Sequence, residues 1–362
     1  MVISKFLRAL AFTLTIGIFV FLFSIPSNLR AQSVEEVIKS LKGLSPKERQ
    51  EKLVEGAKRE GKVVFYAATR ASQAKLLLDS LMKRYPFIKA VSYRAAGFRL
   101  VTKILTEARA KLYEPDIIEV SGPTGYELIR AGLVARYRSP ESKYLRKEFV
   151  DKDGLWTGLM GIRVAVGYNT TLVKKGEAPK SYHDLLDPKW KGKVSIDNQD
   201  SEVLLGFMDA WGEEKAFAFF KGLAKNQVTI RRSRTLQSQL VVAGEYHMAA
   251  FLHGSTPAKM KRQGAPIEAV MFDPFISKVG ATYLAKFSRH PHAAILLYDY
   301  LLSEEIQTNI AVKFGRGSVR LGIKGKYPEL ERERYQVVNP SVSGPRFRKI
   351  NKIFNKTFGI TG

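Results

Sequence analysis

GIRVAVGYNTTLVKKGEAPKSYHDLLDPKWKGKVSIDN, from Gly161 to Asn198, is the stretch whose reading decides the fold. Ile162 to Asn169 is rich in β-branched residues and alternates enough to be a strand. Pro179 disfavours helix at Ala178, so Glu177 to Ser181 reads as a break before a helix start. Tyr182 to Leu186 makes one or two helical turns, closed by Asp187-Pro188. Lys191-Gly192-Lys193 then turns the chain into a second strand, Val194 to Ile196, which ends in the polar loop Asp197-Asn198-Gln199-Asp200.

Upstream, strands and helices alternate. Val63 to Ala68, Lys89 to Tyr93 and Asp116 to Val120 read as strands. Between them, Ala74, Leu77, Leu78 and Leu81 share one helix face, and Leu100, Val101, Ile104, Leu105 and Ala108 share another. This order predicts a mostly parallel sheet with helices on both faces. In such sheets ligands sit at the carboxyl ends of strands, beside helix N-termini. The loops to watch are therefore Thr69-Arg70, Gly97 to Arg99 and Ser121-Gly122. Downstream the same logic selects Asp197 to Ser201, Arg231 to Arg234 and His253 to Ser255. Residues 33–61 read as an amphipathic helical preface.

The motif Tyr168-Asn169-Thr170, then Pro179, then Asp184-Leu185-Leu186-Asp187-Pro188-Lys189-Trp190-Lys191-Gly192-Lys193-Val194 resembles the periplasmic solute-binding proteins of ABC importers. The resemblance is to the family 1 group that includes the ferric-iron-binding proteins. A second block, His290-Pro291-His292-Ala293-Ala294 followed by Asp299-Tyr300-Leu301-Leu302-Ser303-Glu304-Glu305 and Gln307, matches the same group. The resemblance covers roughly Gly61 to Arg316. It implies a type II, two-lobed α/β fold, each lobe a mostly parallel sheet with flanking helices, joined by two hinge crossings near Gly161 and Phe275. The expected division is a signal peptide at 1–31, a first lobe at 32–160, a second lobe at 161–268, a return segment of the first lobe at 269–318, and a tail at 319–362 wrapping the surface. The implied function is capture of a small solute by hinge closure and its delivery to a membrane permease, by a monomeric, exported periplasmic protein without a cofactor. A group-transfer enzyme on the same two-lobed fold is the alternative of another class.

Composition fits these expectations. With 45% hydrophobic and 26% charged residues the chain is of ordinary globular make-up. It has no cysteine, which removes disulfides, thiolate metal sites and a lipidated cysteine anchor. Lys5 and Arg8 precede the apolar run Ala9 to Phe23, and Ala31 suits signal cleavage. The net charge of +25 raises nucleic acid as a partner. The basic residues are scattered over the whole chain, however, with no aromatic-interleaved basic run, so nucleic acid is not expected.

Catalytic signatures are missing: neither a phosphate loop nor a Gly-x-Ser-x-Gly elbow occurs. Family members that hold iron directly use adjacent tyrosines at the end of the strand after a Gly-Glu pair. Here Gly254-Ser255 stands in that place, and Arg70 stands where some members carry a histidine. An iron-binding protein with non-standard ligands is thus the alternative to an organic anion or zwitterion. Arg70 and Arg99 fall in first helical turns, where a cation is unfavourable unless an anion binds. The expected ligand-binding residues are Thr69, Arg70, Gly97, Arg99, Ser121, Gly122, Asp197, Ser201, Arg234, His253 and Ser255. Asp197, Asp200 and Glu202 either cap a helix, face the arginines, or hold the cationic end of a zwitterion. The leader carries its own test. The intact mass of the chain from a periplasmic extract should correspond to a start at or near Gln32, whereas a full-length chain in the membrane fraction would contradict cleavage.

Overall fold

The computed structural model describes residues 32–360. The leader read at 1–31 lies outside them. The chain runs α1 (Val34–Ser40), α2 (Pro46–Glu60), β1 (Lys62–Ala67), α3 (Ala71–Arg84), β2 (Lys89–Arg94), α4 (Gly97–Arg109), β3 (Ile117–Ser121), α5 (Tyr126–Arg130) and β4 (Thr157–Asn169). It continues with β5 (Val194–Asp197), α6 (Ser201–Trp211), α7 (Glu213–Lys225), β6 (Thr229–Arg231), α8 (Arg234–Ala243), β7 (Met248–His253), α9 (Ser255–Arg262) and β8 (Ile267–Val270). The last elements are β9 (Ile276–Leu284), α10 (Pro291–Leu302), α11 (Glu304–Val312), β10 (Gln336–Val337) and α12 (Gly344–Phe358).

Local sequence fixes the preface. Ser33 with Glu36, and Ser45 with Glu48, each form a reciprocal capping box at the starts of α1 and α2. Gly61 ends α2 at φ 63°, the left-handed conformation that favours glycine. His292 ties α10 to the end of α2, and His290 ties it to the residue before β3. His292 Nδ1 lies 2.7 Å from Glu60 Oε1, and His290 Nδ1 lies 2.9 Å from the buried Asp116.

The strands follow one path, β2-β1-β3-β9-β4-β7-β5-β6, with β10 on β9 and β8 on β4. β1 is parallel to β2 and β3, and β5 is parallel to β6 and β7. β4 is shared between the two halves. Its residues 157–163 pair antiparallel with β9, and residues 164–169 pair with β7 and β8. All thirteen of its residues are buried, as expected of a strand covered on both faces. One core gathers around β1, β3, β9 and α10; a second gathers around β5, α6 and α7. The two halves are therefore lobes joined through β4 and the start of β9.

Residues 319–362 do not simply wrap the surface. Val338, Val342, Ile350 and Phe354 enter the second core, because α12 lays its apolar face on α6 and α7. β10 lies beside β9 at the junction of the lobes.

The second core is largely aromatic. Phe207 is fully buried, and its ring lies 4.5–5.7 Å, centroid to centroid, from those of Tyr182, Trp211, Phe219, Phe220 and Phe251. Phe207→Ala should cost about 3–5 kcal/mol, the range for emptying a buried aromatic site. Urea denaturation of the purified variant reads this, and a loss below about 1 kcal/mol would contradict so tight a core.

Candidate functional site

The carboxyl ends of β1 and β3 point at the same junction as those of β5, β6 and β7, so the loops that follow them face one cleft. On the first-lobe side, the chain leaves β1 through Ala68 and Thr69 to Arg70, the N-cap of α3, which makes no capping bond. Behind this turn lies Glu119 of β3, 3% exposed. Its Oε2 accepts from the backbone N–H of Ala68 (3.1 Å) and Thr69 (2.9 Å). Burial pushes the Glu119 carboxyl up to about 7; those two bonds and the charge of Arg316 offset only part of the effect.

Arg316 arrives from the return segment, after α11. Its guanidinium has no hydrogen-bond or ion-pair partner among the described residues. Burial, then the charge of Arg70, pulls it down to about 10, while Glu119 opposes that shift. Arg316 shares a crevice with Ser255 of the second lobe, together with Gly161, Arg163, Tyr327 and Glu331.

On the second-lobe side the acids are already occupied. Asp200 is fully buried and pairs with Arg234 of α8. Its other oxygen accepts from the Asp197 N–H at 2.7 Å. Burial pushes Asp200 up to about 6, against the pull of Arg234. Asp197 accepts from the N–H groups of Ser233 (3.0 Å) and Gln199 (2.9 Å). Glu202 takes the ammonium of Lys278, on β9, at 2.8 Å. Asp197 and Asp200 thus have internal partners, while Glu202 keeps a buried Oε1 without a hydrogen-bond partner among the described residues. His253, last residue of β7, keeps a buried Nε2 with no hydrogen-bond partner among the described residues. Burial first, then the charges of Arg234, Arg316, Lys278 and Arg70, holds its imidazole well below its ordinary pKa. It is neutral at pH 7 and free to donate or accept one hydrogen bond.

The structure therefore gathers Thr69, Arg70, Asp197, Arg234, His253 and Ser255 about one cleft. Arg99, third residue of α4, is exposed and has no ion pair or side-chain hydrogen bond among the described residues. Arg316 stands close enough to Arg70 for the two charges to act on each other. Gly97 opens α4, Ser121 ends β3 and Gly122 follows it. Ser201 donates to Asn351 Oδ1 of α12 at 2.9 Å, so the tail uses this hydroxyl. Sequence reasoning missed Glu119 and Arg316, although a lone acid in Ile117-Ile118-Glu119-Val120 and an arginine between Gly315 and Gly317 were visible signals. Among the described residues no group of three or more His, Cys, Asp or Glu side chains is placed to hold a metal ion.

The family described as bacterial extracellular solute-binding protein matches residues 115–334. Iron uptake protein A1 of Synechocystis is 26% identical over 231 residues, 58% of this chain and 59% of that protein. Against two curated relatives, this one among them, the chain spans 51% and 59% of their length. Iron-bound HitA of Pseudomonas aeruginosa superposes with a TM-score of 0.70 at 20% identity, covering 82% of this chain and 99% of that one. AfuA of Actinobacillus pleuropneumoniae, with exogenous fructose-6-phosphate bound, superposes with a TM-score of 0.67 at 23% identity, covering 83% and 99%. At such identities the superpositions show the shared two-lobed fold.

The Glu119 carboxyl sets a pH dependence. Below about 4.5, its ordinary value, it is protonated both folded and unfolded. Between there and about 7 the unfolded chain releases the proton and the folded chain keeps it, so stability falls as pH rises. Glu119→Gln keeps an acceptor for the two N–H groups and should remove this part of the decline, a difference of at most a few kcal/mol. Urea midpoints of both proteins at pH 5 and pH 8 read it (about the two ends of the window); parallel curves would contradict the buried carboxyl.

Proposed function

The chain belongs to the bacterial extracellular solute-binding proteins, and from that premise we propose that it captures a small organic anion between its lobes and hands it to a membrane permease of an ABC importer. The carrying observation is the pair Arg70 and Arg316, neither with a partner among the described residues, both acting on the neutral His253 across the cleft. Two guanidiniums held near one another repel, and a phosphate, phosphonate or carboxylate relieves that repulsion while accepting charge-assisted hydrogen bonds. The N–H groups at the start of α3 add donors to the same place. His253 and Ser255 supply neutral contacts from the opposite lobe, so a ligand that touches both sides favours the closed state. The cycle is binding, closure and release, with no bond made or broken, and it runs in the periplasm with the receptor a monomer. No helix among the described residues is long and apolar enough to cross a membrane.

Relatives named for iron make ferric ion the competing cargo. A hard cation needs anionic oxygen ligands. Here Asp200 and Glu202 are paired with Arg234 and Lys278, and Asp197 accepts two backbone N–H bonds. Titration calorimetry separates the two cargoes. The probes are fructose 6-phosphate, a set of organic phosphates and carboxylates, and ferric nitrilotriacetate. At least one organic anion should bind, and Arg70→Ala or Arg316→Ala should each weaken it by about 1.5–3 kcal/mol, the scale of a hydrogen bond to a charged group. Tight binding of ferric ion alone, unchanged in both variants, would overturn the proposal.

A further inference from the structure

Away from the cleft, α12 carries a face that the binding machinery does not use. Ile350 and Phe354 are buried in the second core, with Phe347 and Phe358 packed against it; Phe354 and Phe358 meet Phe220 of α7. On the opposite side, Lys349, Lys352 and Lys356 recur at spacings of three and four, which puts them in one exposed stripe. The helix holds Arg346 and Arg348 as well, and no acidic residue. Arg346 pairs with Glu213 at the start of α7, and Arg348 pairs with Glu127 of α5. The three lysines have no ion pair or hydrogen bond among the described residues. Contacts of Arg346 with Glu213 and of Phe354 with Phe220 set α7 and α12 side by side in the same direction. Lys221 and Lys225 of that neighbouring helix α7 are likewise exposed, with no ion pair or side-chain hydrogen bond among the described residues.

We propose that these five lysines form a docking face for the surface of an anionic lipid bilayer. Three features select that partner. Lysine is a compact, hydrated point charge, suited to a diffuse negative surface, whereas stereospecific carboxylate or phosphate recognition favours the planar fork of arginine. No aromatic side chain interrupts the stripe, so it lacks the stacking platforms with which single-stranded nucleic acid is held. The apolar face of α12 is already committed to the second core, so the helix does not insert as a free amphipathic helix would. The contact is electrostatic and reversible. Each lysine that meets an anionic bilayer is worth about fivefold in binding, and salt screens it within a Debye length of about 8 Å at physiological ionic strength. A receptor so held would search for its membrane partner along a surface rather than through a volume. This inference is independent of which solute the cleft takes.

Vesicle co-sedimentation tests it with the chain from Gln32 onward, the compact unit of the structure. The vesicles contain phosphatidylcholine with or without phosphatidylglycerol. The chain should sediment with the anionic vesicles alone, and less so as salt rises. The triple variant Lys349→Gln, Lys352→Gln, Lys356→Gln should bind about a hundredfold more weakly. A control with Lys42→Gln, Lys83→Gln and Lys89→Gln, exposed lysines of the first lobe, removes the same charge and should bind like the parent. Circular dichroism checks that both variants are folded. Equal loss in the two triple variants would reduce the effect to net charge and overturn the proposal. So would an absence of binding by the parent, or binding to soluble polyglutamate as tight as to the vesicles.

Discussion

The structure depends on one buried guanidinium. Arg163 sits on β4 where that strand passes from one lobe to the other, 4% exposed. It stacks on the Tyr335 ring, 3.6 Å from the centroid, donates to Ser277 Oγ at 3.1 Å, and approaches Glu331 at 3.5 Å. A Cβ at Gly161 or Gly317 would collide with it, so both neighbours must be glycine for the charge to fit. Burial pulls its pKa down, while Tyr335 and Glu331 oppose that pull. A charge buried this way is expensive to leave unpaired, and its partners come from β9 and from the tail. The return strand, the tail and the shared strand are thereby held at one point, where β4 passes from one lobe to the other.

The same accounting of charge explains the cleft. Its acidic side chains lie close to internal cations: Asp200 and Asp197 to Arg234, Glu202 to Lys278. Glu119 makes no ion pair among the described residues; it is buried behind a turn whose N–H groups it accepts, and the charge of Arg316 acts on it. Arg70 and Arg316, on the first-lobe side, make no ion pair among the described residues. A cleft of that kind raises the local concentration of anions before any contact is made.

Much of this was legible in the sequence. The β-branched run after Gly161, the break at Pro179 and the turn at Lys191-Gly192-Lys193 gave β4 and the approach to β5, because strand alternation and proline constraints act locally. Loops at the carboxyl ends of strands gave Arg70 and His253 by topology alone. Arg316 was not legible, since what puts it beside Arg70 is the return of the chain across a long sequence separation. Nor was the loss of Ser201 to Asn351, or the burial of Phe354. Both depend on where α12 docks, which the spacing of Phe347, Ile350, Phe354 and Phe358 does not specify.

The most direct test of an anion receptor is native mass spectrometry of the protein purified from its own periplasm without refolding. The account requires a co-purified small organic anion, retained by the wild-type chain and lost from Arg316→Ala. A chain that carries ferric ion instead, and keeps it when Arg316 is removed, would contradict it.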